Sequence, residues 1–158
     1  MEKKVSIVIP CFNNEEEVSR AIESGLSQTY KNLDIVVVDD GSTDKSLEVI
    51  RSYENKVRWV TQDNQGAPAA RNAGLKISEG EYVKFLDADD ELLQNAIEWQ
   101  VGASESIATE RSVVYGNTLV ADSQGNTIYE HSQRDRAGNQ DPLLHILSHS
   151  PLTASPLH

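Results

Sequence analysis

The chain has 158 residues, a formal net charge of -11 at pH 7 and a single cysteine. This length suits one domain with a substantial core. The charge argues against a nucleic-acid partner, because binding a polyphosphate backbone requires basic patches. A lone cysteine excludes an internal disulfide and suits a reducing compartment. No apolar run is long enough to span a membrane, so we expect a cytoplasmic protein, with peripheral attachment at the inner face of the membrane left open.

Strand and helix patterns alternate along the first two thirds of the chain. The nearly continuous β-branched runs at residues 5–9 and 35–38 are typical of strands covered on both faces. Asn13 and Asn14 are expected to cap the first helix, with residues 15–17 in its first turn. The later predicted elements are a helix carrying Leu47 and Ile50, strand 57–60, helix 68–77, strand 82–86, helix 92–108 and strand 112–115.

The pattern changes after Tyr115. Residues 118–121 and 127–129 flank a turn-forming sequence, which predicts a β-hairpin. Pro142 is well placed to begin a short helix that ends near Leu147. Strands separated by helices predict right-handed crossovers between parallel strands. We therefore expect an α/β fold, with a mainly parallel sheet, helices on both faces and a β-hairpin near the C-terminus.

Three carboxylates, Asp87, Asp89 and Asp90, come directly after the predicted strand 82–86. Like charges at this spacing are costly unless a cation or a strong hydrogen-bond donor compensates them. The carboxyl ends of strands are also where open α/β sheets bind ligands. The pattern therefore fits a metal–diphosphate site. It equally fits an acidic turn before a helix, where carboxylates are favourable without any ligand.

Four polar loops are expected to meet at the carboxyl edge of the sheet. Pro10 and Phe12 could border a nucleotide base, and Asp39 could accept a hydrogen bond from a base N–H or a ribose hydroxyl. Alternatively, Phe12 packs beneath its loop, and Asp39 belongs to a turn that caps a helix. The four loops are residues 10–13, 39–42, 62–66 and 87–90.

The sequence lacks both common phosphate-binding signatures, G-x-G-x-x-G and G-x-x-x-x-G-K-[ST]. Asp87 and Asp89 could instead hold Mg²⁺ or Mn²⁺, hard cations that take oxygen ligands and bridge phosphate oxygens. Such a cation stabilises the charge on a departing diphosphate. The pattern therefore favours transfer from a nucleotide-activated donor over redox chemistry.

Five segments, in the expected order, resemble signatures of the family 2 glycosyltransferases, which have the Rossmann-like GT-A fold. The similarity covers about residues 4–91 and is weaker beyond. Within the fourth segment, Gly66 and Gly74 are expected to serve backbone geometry and helix packing. The five segments are VSIVIPCFN (5–13), SQTY (27–30), VVVDDGSTD (36–44), NQGxxxARNxG (64–74) and LDADD (86–90), the last matching the family's D-x-D motif.

The resemblance implies roles for individual residues. Asp39 would contact a uracil-type base, and Arg71 would lie near the base or the diphosphate, unless it only makes a surface salt bridge. Asp89 would be the principal ligand of Mn²⁺ or Mg²⁺, and Asp87 would approach the metal or the ribose. The residues assigned to the nucleotide-sugar donor are Pro10, Phe12, Asn13, Asp39, Asn64, Arg71 and Asp87.

The implied reaction transfers a sugar from a nucleoside diphosphate, with a UDP-sugar as first choice, to a hydroxyl of a carbohydrate or lipid-linked acceptor, with inversion. A general base must take the acceptor proton. Family members usually supply it from a downstream Glu-Asp-type motif, and this sequence contains no Glu-Asp dipeptide. The catalytic residue therefore stays unassigned among the available carboxylates Asp122, Glu130, Asp135 and Asp141.

The resemblance also predicts the domain organisation. Residues 1–117 would form the donor-binding α/β domain, and residues 118–158 a hairpin and the start of an incomplete acceptor-side region. Uncovered apolar surface would then favour self-association. Two other functions stay open: a nucleotide-sugar-binding module that does not catalyse transfer, and a phosphatase with an aspartyl nucleophile. A phosphatase of that type needs its D-x-D motif after the first strand.

Overall fold

The computed structural model describes residues 2–106, 113–114, 116, 118–121 and 127–131. Strands and helices alternate in this part of the chain, and none of its helices is long and apolar enough to cross a membrane. The elements are β1 (Val5–Cys11), α1 (Val18–Leu26), β2 (Leu33–Asp39), α2 (Ser46–Arg51), β3 (Arg58–Thr61), α3 (Ala67–Ile77), β4 (Tyr82–Phe85), α4 (Ala96–Ser106), β5 (Thr118–Ala121) and β6 (Thr127–His131).

The strands β1 to β4 form a parallel sheet in the order β3-β2-β1-β4. All seven residues of β1 are buried, as expected for a central strand. Successive side chains of a strand point to opposite faces. Accordingly, Ile7 lies beside Gly25 of α1, whereas Val8 lies beside Gly74 of α3. The expected α/β fold with helices on both faces of a mainly parallel sheet is therefore confirmed.

Glycine allows α3 to lie directly on the sheet. A Cβ atom added at Gly74 would overlap Cγ1 of Val8 and come within 3.2 Å of Cγ2 of Val38. Gly66, which precedes α3, has φ = 86°, a left-handed conformation that side chains rarely adopt. The expected roles of these two glycines in helix packing and backbone geometry are both confirmed.

The first helix begins later than the sequence predicts. It starts at Val18, with Glu17 as the N-cap residue, so the prediction that Asn13 and Asn14 cap it is wrong. The Asn13 side chain instead accepts a hydrogen bond from the backbone N–H of Thr43. Asn13 therefore connects the loop after β1 to the loop after β2. Residues 15–17 form a turn before α1 begins.

The helix predicted at residues 92–108 begins at Ala96. The backbone groups before it are used elsewhere: the N–H of Leu92 donates to Oγ of Ser24, and the carbonyl of Leu93 accepts from Nε2 of Gln28. This segment is thus tied to the C-terminal end of α1 and the residues that follow it. Residues 113–114 of the predicted strand 112–115 are described and are not in a strand. Residues 107–108, the other two residues of that predicted strand and the predicted helix 142–147 lie outside the described residues.

Strands β5 and β6 pair antiparallel, as the predicted hairpin requires, and the turn expected between them lies outside the described residues. Thr118 lies opposite His131, and the register shifts between Val120 and Ala121. The chain divides after Trp99 into two units, with β1–β4 in the first and this hairpin in the second. The domain boundary expected after residue 117 stays a prediction.

Candidate functional site

A cleft of ≈ 270 Å³ lies at the carboxyl end of the parallel sheet. Strand order reverses around β1, which lies between β2 and β4. This is the position where open α/β sheets bind ligands. The cleft is lined by the end of β1, the start of α3 and the loop after β4. Its residues are Pro10, Cys11, Phe12, Asn14, Asp40, Ala67, Ala70, Arg71, Asp87, Ala88 and Asp89.

Most of the residues predicted from the sequence meet in this cleft. Those that line it are Pro10, Phe12, Arg71, Asp87 and Asp89. Three predicted residues are not in its lining: Asn13 and Asn64, both exposed, and Asp39, which is buried. Asn14 and Asp40 also line the cleft, although neither was expected there from the sequence.

Asp39 lies at the end of β2 and is 1% exposed. Its Oδ1 atom accepts a hydrogen bond from the N–H of Ser42 at 3.2 Å, and its Oδ2 atom accepts from Oγ1 of Thr61 at 2.8 Å. Each carboxylate oxygen retains further acceptor capacity. The contact between Asp39 and a base stays a prediction.

The neighbouring Asp40 organises the loop between β3 and α3. Its carboxylate accepts hydrogen bonds from Nε2 of Gln62 at 2.7 Å, from the N–H of Gln65 at 3.0 Å and from the N–H of Gly66 at 2.7 Å. The loop also packs against Gly41, where a Cβ atom would be 2.8 Å from the backbone nitrogen of Asn64. The Asp–Gly pair after a buried strand is the sequence signal that points to this arrangement.

One wall of the cleft carries charged side chains. Nη2 of Arg71 lies 2.5 Å from Oδ1 of Asp87, so the salt bridge considered for Arg71 forms at the cleft itself. Burial, and then the charges of Asp89 and Asp87, raise the pKa of the Asp90 carboxyl. Burial lowers the pKa of Lys84, although Asp90 and Asp87 act in the opposite direction. Negative charge is therefore concentrated beside the cleft.

The described residues contain no cluster of three His, Cys, Asp or Glu side chains able to enclose a metal ion. Asp87 and Asp89 nevertheless lie on the same cleft wall. Mg²⁺ is usually held by one or two carboxylates, with water and ligand phosphates completing its coordination. The two aspartates therefore fit a divalent cation that is shared with a bound diphosphate.

The strand order and the cleft at the reversal of that order define an open α/β protein with a ligand-binding position at the carboxyl edge of its sheet. The sequence model of the family described as glycosyl transferase family 2 matches residues 6–153, and the chain belongs to this family. The family expected from the sequence segments is thereby confirmed.

Several bacterial relatives agree with this assignment. An uncharacterized glycosyltransferase of Rickettsia typhi is 36% identical over 151 residues, covering 92% of this chain and 48% of the relative. One from Haemophilus influenzae is 38% identical over 128 residues, covering 78% of this chain and 50% of the relative. The chain therefore spans about half the length of these relatives.

Solved structures show the same fold. The crystal structure of Staphylococcus aureus TarS has a TM-score of 0.60 and 31% identity, covering 65% of this chain and 20% of TarS. The structure of TarS 1-349 in complex with UDP-GlcNAc has a TM-score of 0.54 and 34% identity, and the match covers 64% of this chain and 30% of the TarS chain. A Pyrobaculum calidifontis mannosyltransferase in complex with GDP-Man and Mn²⁺, at 23% identity and a TM-score of 0.56, supports the fold alone. The expected GT-A fold is confirmed.

Proposed function

We propose that the cleft binds a nucleoside diphosphate sugar, with a UDP-sugar as first choice, and that the whole protein transfers the sugar to an acceptor hydroxyl with inversion. The observation that carries this proposal is the joint presence of Arg71, Asp87 and Asp89 on a cleft at the carboxyl edge of the sheet. The UDP-GlcNAc complex of the TarS relative supports UDP as the nucleotide.

Each wall of the cleft has a chemical counterpart in such a donor. Pro10 and the half-exposed Phe12 offer apolar surface for a base. The Arg71 guanidinium can form charge-assisted hydrogen bonds to phosphate oxygens once it leaves Asp87. Asp87 and Asp89 would hold Mn²⁺ or Mg²⁺. When bound, such a cation neutralises the negative charge that develops on the departing diphosphate.

The transfer step needs an acceptor, a carbohydrate or a lipid-linked one, and a general base. The candidate bases Asp122, Asp135 and Asp141, and the side chain of Glu130, lie outside the described parts. Transfer is therefore proposed for the whole protein, and binding without transfer is the alternative. We propose cytoplasmic action, which the buried free thiol of Cys11 supports. Self-association stays a prediction.

Calorimetric titration of UDP, with and without Mn²⁺, tests the donor site. We expect binding that depends on Mn²⁺ and that Asp89→Asn weakens about tenfold or more, because a neutral amide is a poorer ligand for a hard cation. Glu81→Gln is the matched control, since Glu81 is an exposed acid beside the opposite end of β4. Equal weakening by both variants would show a general charge effect and contradict the site.

Hydrolysis of a UDP-sugar, followed by the release of free sugar, separates transfer chemistry from binding. Metal-dependent turnover that Asp89→Asn abolishes would support catalysis by this chain. Tight UDP binding without turnover would favour the non-catalytic module. Absence of binding to UDP, GDP and dTDP alike would overturn the proposed donor site.

A further inference from the structure

Two loops beside the cleft are joined by hydrogen bonds through Asn13. Its Oδ1 atom accepts from the N–H of Thr43 at 2.8 Å and from Oγ1 of Thr43 at 3.3 Å. Its own N–H donates to Oγ of Ser42 at 3.1 Å. Asn13 has φ = 52°, a left-handed conformation that asparagine adopts more readily than most residues. Both the side chain and the backbone of Asn13 thus form hydrogen bonds that connect the two loops.

Three more hydrogen bonds continue this connection. The N–H of Asn14 donates to Oγ of Ser46 at 2.8 Å, and Ser46 is fully buried. The N–H of Glu15 donates to Oδ2 of Asp44 at 3.1 Å, and the N–H of Lys45 donates to Oε2 of Glu15 at 2.7 Å. We call residues 13–15 and 42–46, with these bonds, the clasp.

The clasp is connected to two residues of the cleft lining and to Asp39, which is not in that lining. Phe12 and Asn14, on either side of Asn13, both line the cleft. Phe12 is 44% exposed, so packing alone restrains it weakly. Ser42 has contacts on two sides: its Oγ accepts from Asn13, while its N–H donates to Oδ1 of the buried Asp39. Movement of Ser42 would therefore break its hydrogen bonds to both Asn13 and Asp39.

We propose that Asn13 and Ser42 are positioning residues of the nucleotide subsite, which act by fixing Phe12 and Asp39 rather than by touching the nucleotide. The inference rests on the proposed donor site and changes the role expected for Asn13. A loop that is already held in its bound conformation loses less entropy when a ligand binds. Loss of the clasp should therefore weaken nucleotide binding more than it lowers overall stability.

Calorimetry with UDP and Mn²⁺ tests the inference. We expect Asn13→Gly, which tolerates the left-handed backbone, and Ser42→Ala each to weaken binding about tenfold, the order expected for a lost hydrogen bond and its consequences. Ser42→Thr keeps the hydroxyl and should restore near-normal affinity. The double variant should be little weaker than either single variant, since each change removes a different hydrogen bond between the same two loops. Ser52→Ala, which removes an exposed hydroxyl at the end of α2, is the control.

Two outcomes would overturn the positioning role. The first is normal UDP affinity in Ser42→Ala. The second is an additive effect of the two changes, which would show that Asn13 and Ser42 act independently and not through one connection between the loops. Amide hydrogen exchange in the free protein supplies a readout that needs no nucleotide. The clasp predicts slow exchange at Thr43 and Lys45, with Thr43 accelerated in Asn13→Gly. Fast exchange in the wild-type protein would refute the clasp, whereas failure of all nucleotides to bind a protein with slow exchange would refute the donor site.

Discussion

Two adjacent aspartates at the end of β2 have different tasks, although both are buried. Asp39 accepts hydrogen bonds close to its own strand, from Ser42 and Thr61. Asp40 reaches across to the loop before α3 and accepts from three donors. Because every partner of Asp40 is a donor, the site requires a group that only accepts.

We predict that Asp40→Asn destabilises the protein by about 1–3 kcal/mol, because the new amide N–H₂ would face a backbone N–H group and leave a partly buried donor without its acceptor. Urea unfolding measures this change. Asp63→Asn, an exposed acid in the same loop, is the control and should alter stability little. An unchanged unfolding midpoint for Asp40→Asn would contradict the proposed use of this carboxylate.

Cys11 lies under the cleft, where burial, the largest cause, raises the pKa of its thiol from 9.0 to about 11. The neutral thiol is a poor nucleophile, which argues against covalent catalysis by Cys11. Above pH 9 the unfolded chain loses this proton while the folded protein keeps it. Stability contributed by the neutral thiol is therefore complete below pH 9 and is lost as the pH rises to about 11.

The free energy of unfolding of the wild-type protein should fall by about 2 kcal/mol more than that of Cys11→Ala between pH 9 and 11. Denaturant titrations of both proteins at several pH values measure this difference. Loss of the sulfur atom in Cys11→Ala also changes the free energy of unfolding, but by an amount that does not depend on pH. Parallel curves for the two proteins would show that the thiol does not titrate in this way.

At the scale of elements, close contact between α3 and the sheet sets the position of the cleft. Ala70 is fully buried among Val8, Val36 and Val38, and Arg71, the next residue, reaches the cleft. Gly74 lies one turn after Ala70 and permits this approach. The packing of α3 therefore determines where the Arg71 guanidinium can meet Asp87.

Gly74→Ala should destabilise the protein by about 1–3 kcal/mol, because the added methyl group overlaps Val8 and must push α3 away from the sheet. Thermal unfolding measures this effect. Gly102→Ala in α4 is the matched control, since its Cβ meets nothing within 4 Å, and it should be neutral or stabilising by up to about 1 kcal/mol. Val8→Ala should cost less stability in the Gly74→Ala background than in the wild-type protein, because it makes room for the added methyl group. Equal costs in the two backgrounds would mean that the overlap is relieved elsewhere.

At the scale of the whole molecule, the net charge of -11 disfavours polyanions but not a small anion paired with a divalent cation. We predict that a labelled oligonucleotide shows no change in fluorescence anisotropy with this protein, at low or at physiological salt. UDP with Mn²⁺ on the same sample is the positive control. Oligonucleotide binding that weakens steeply with salt would reveal a basic surface and contradict the prediction.

The sequence by itself determined the class of fold and the edge of the sheet where the site lies. The runs of β-branched residues in β1 and β2 specify buried strands wherever they occur, because burial on both faces requires apolar side chains throughout. Chain order then brings Phe12 and Asp89 to the same edge, since parallel strands end together. Local rules of this kind need no knowledge of partners distant in the chain.

Only the tertiary structure decided how individual polar groups are used. Asn13 has the residue type of a helix cap, yet its oxygen accepts from Thr43, 30 residues away in the chain. Asp40 resembles any turn aspartate until the loop before α3 packs against it. A polar side chain satisfies whichever donor or acceptor lies nearest in space, and local sequence does not specify that neighbour. The fold could therefore be predicted from apolar periodicity, whereas the clasp and the role of Asp40 depend on contacts that only the tertiary structure creates.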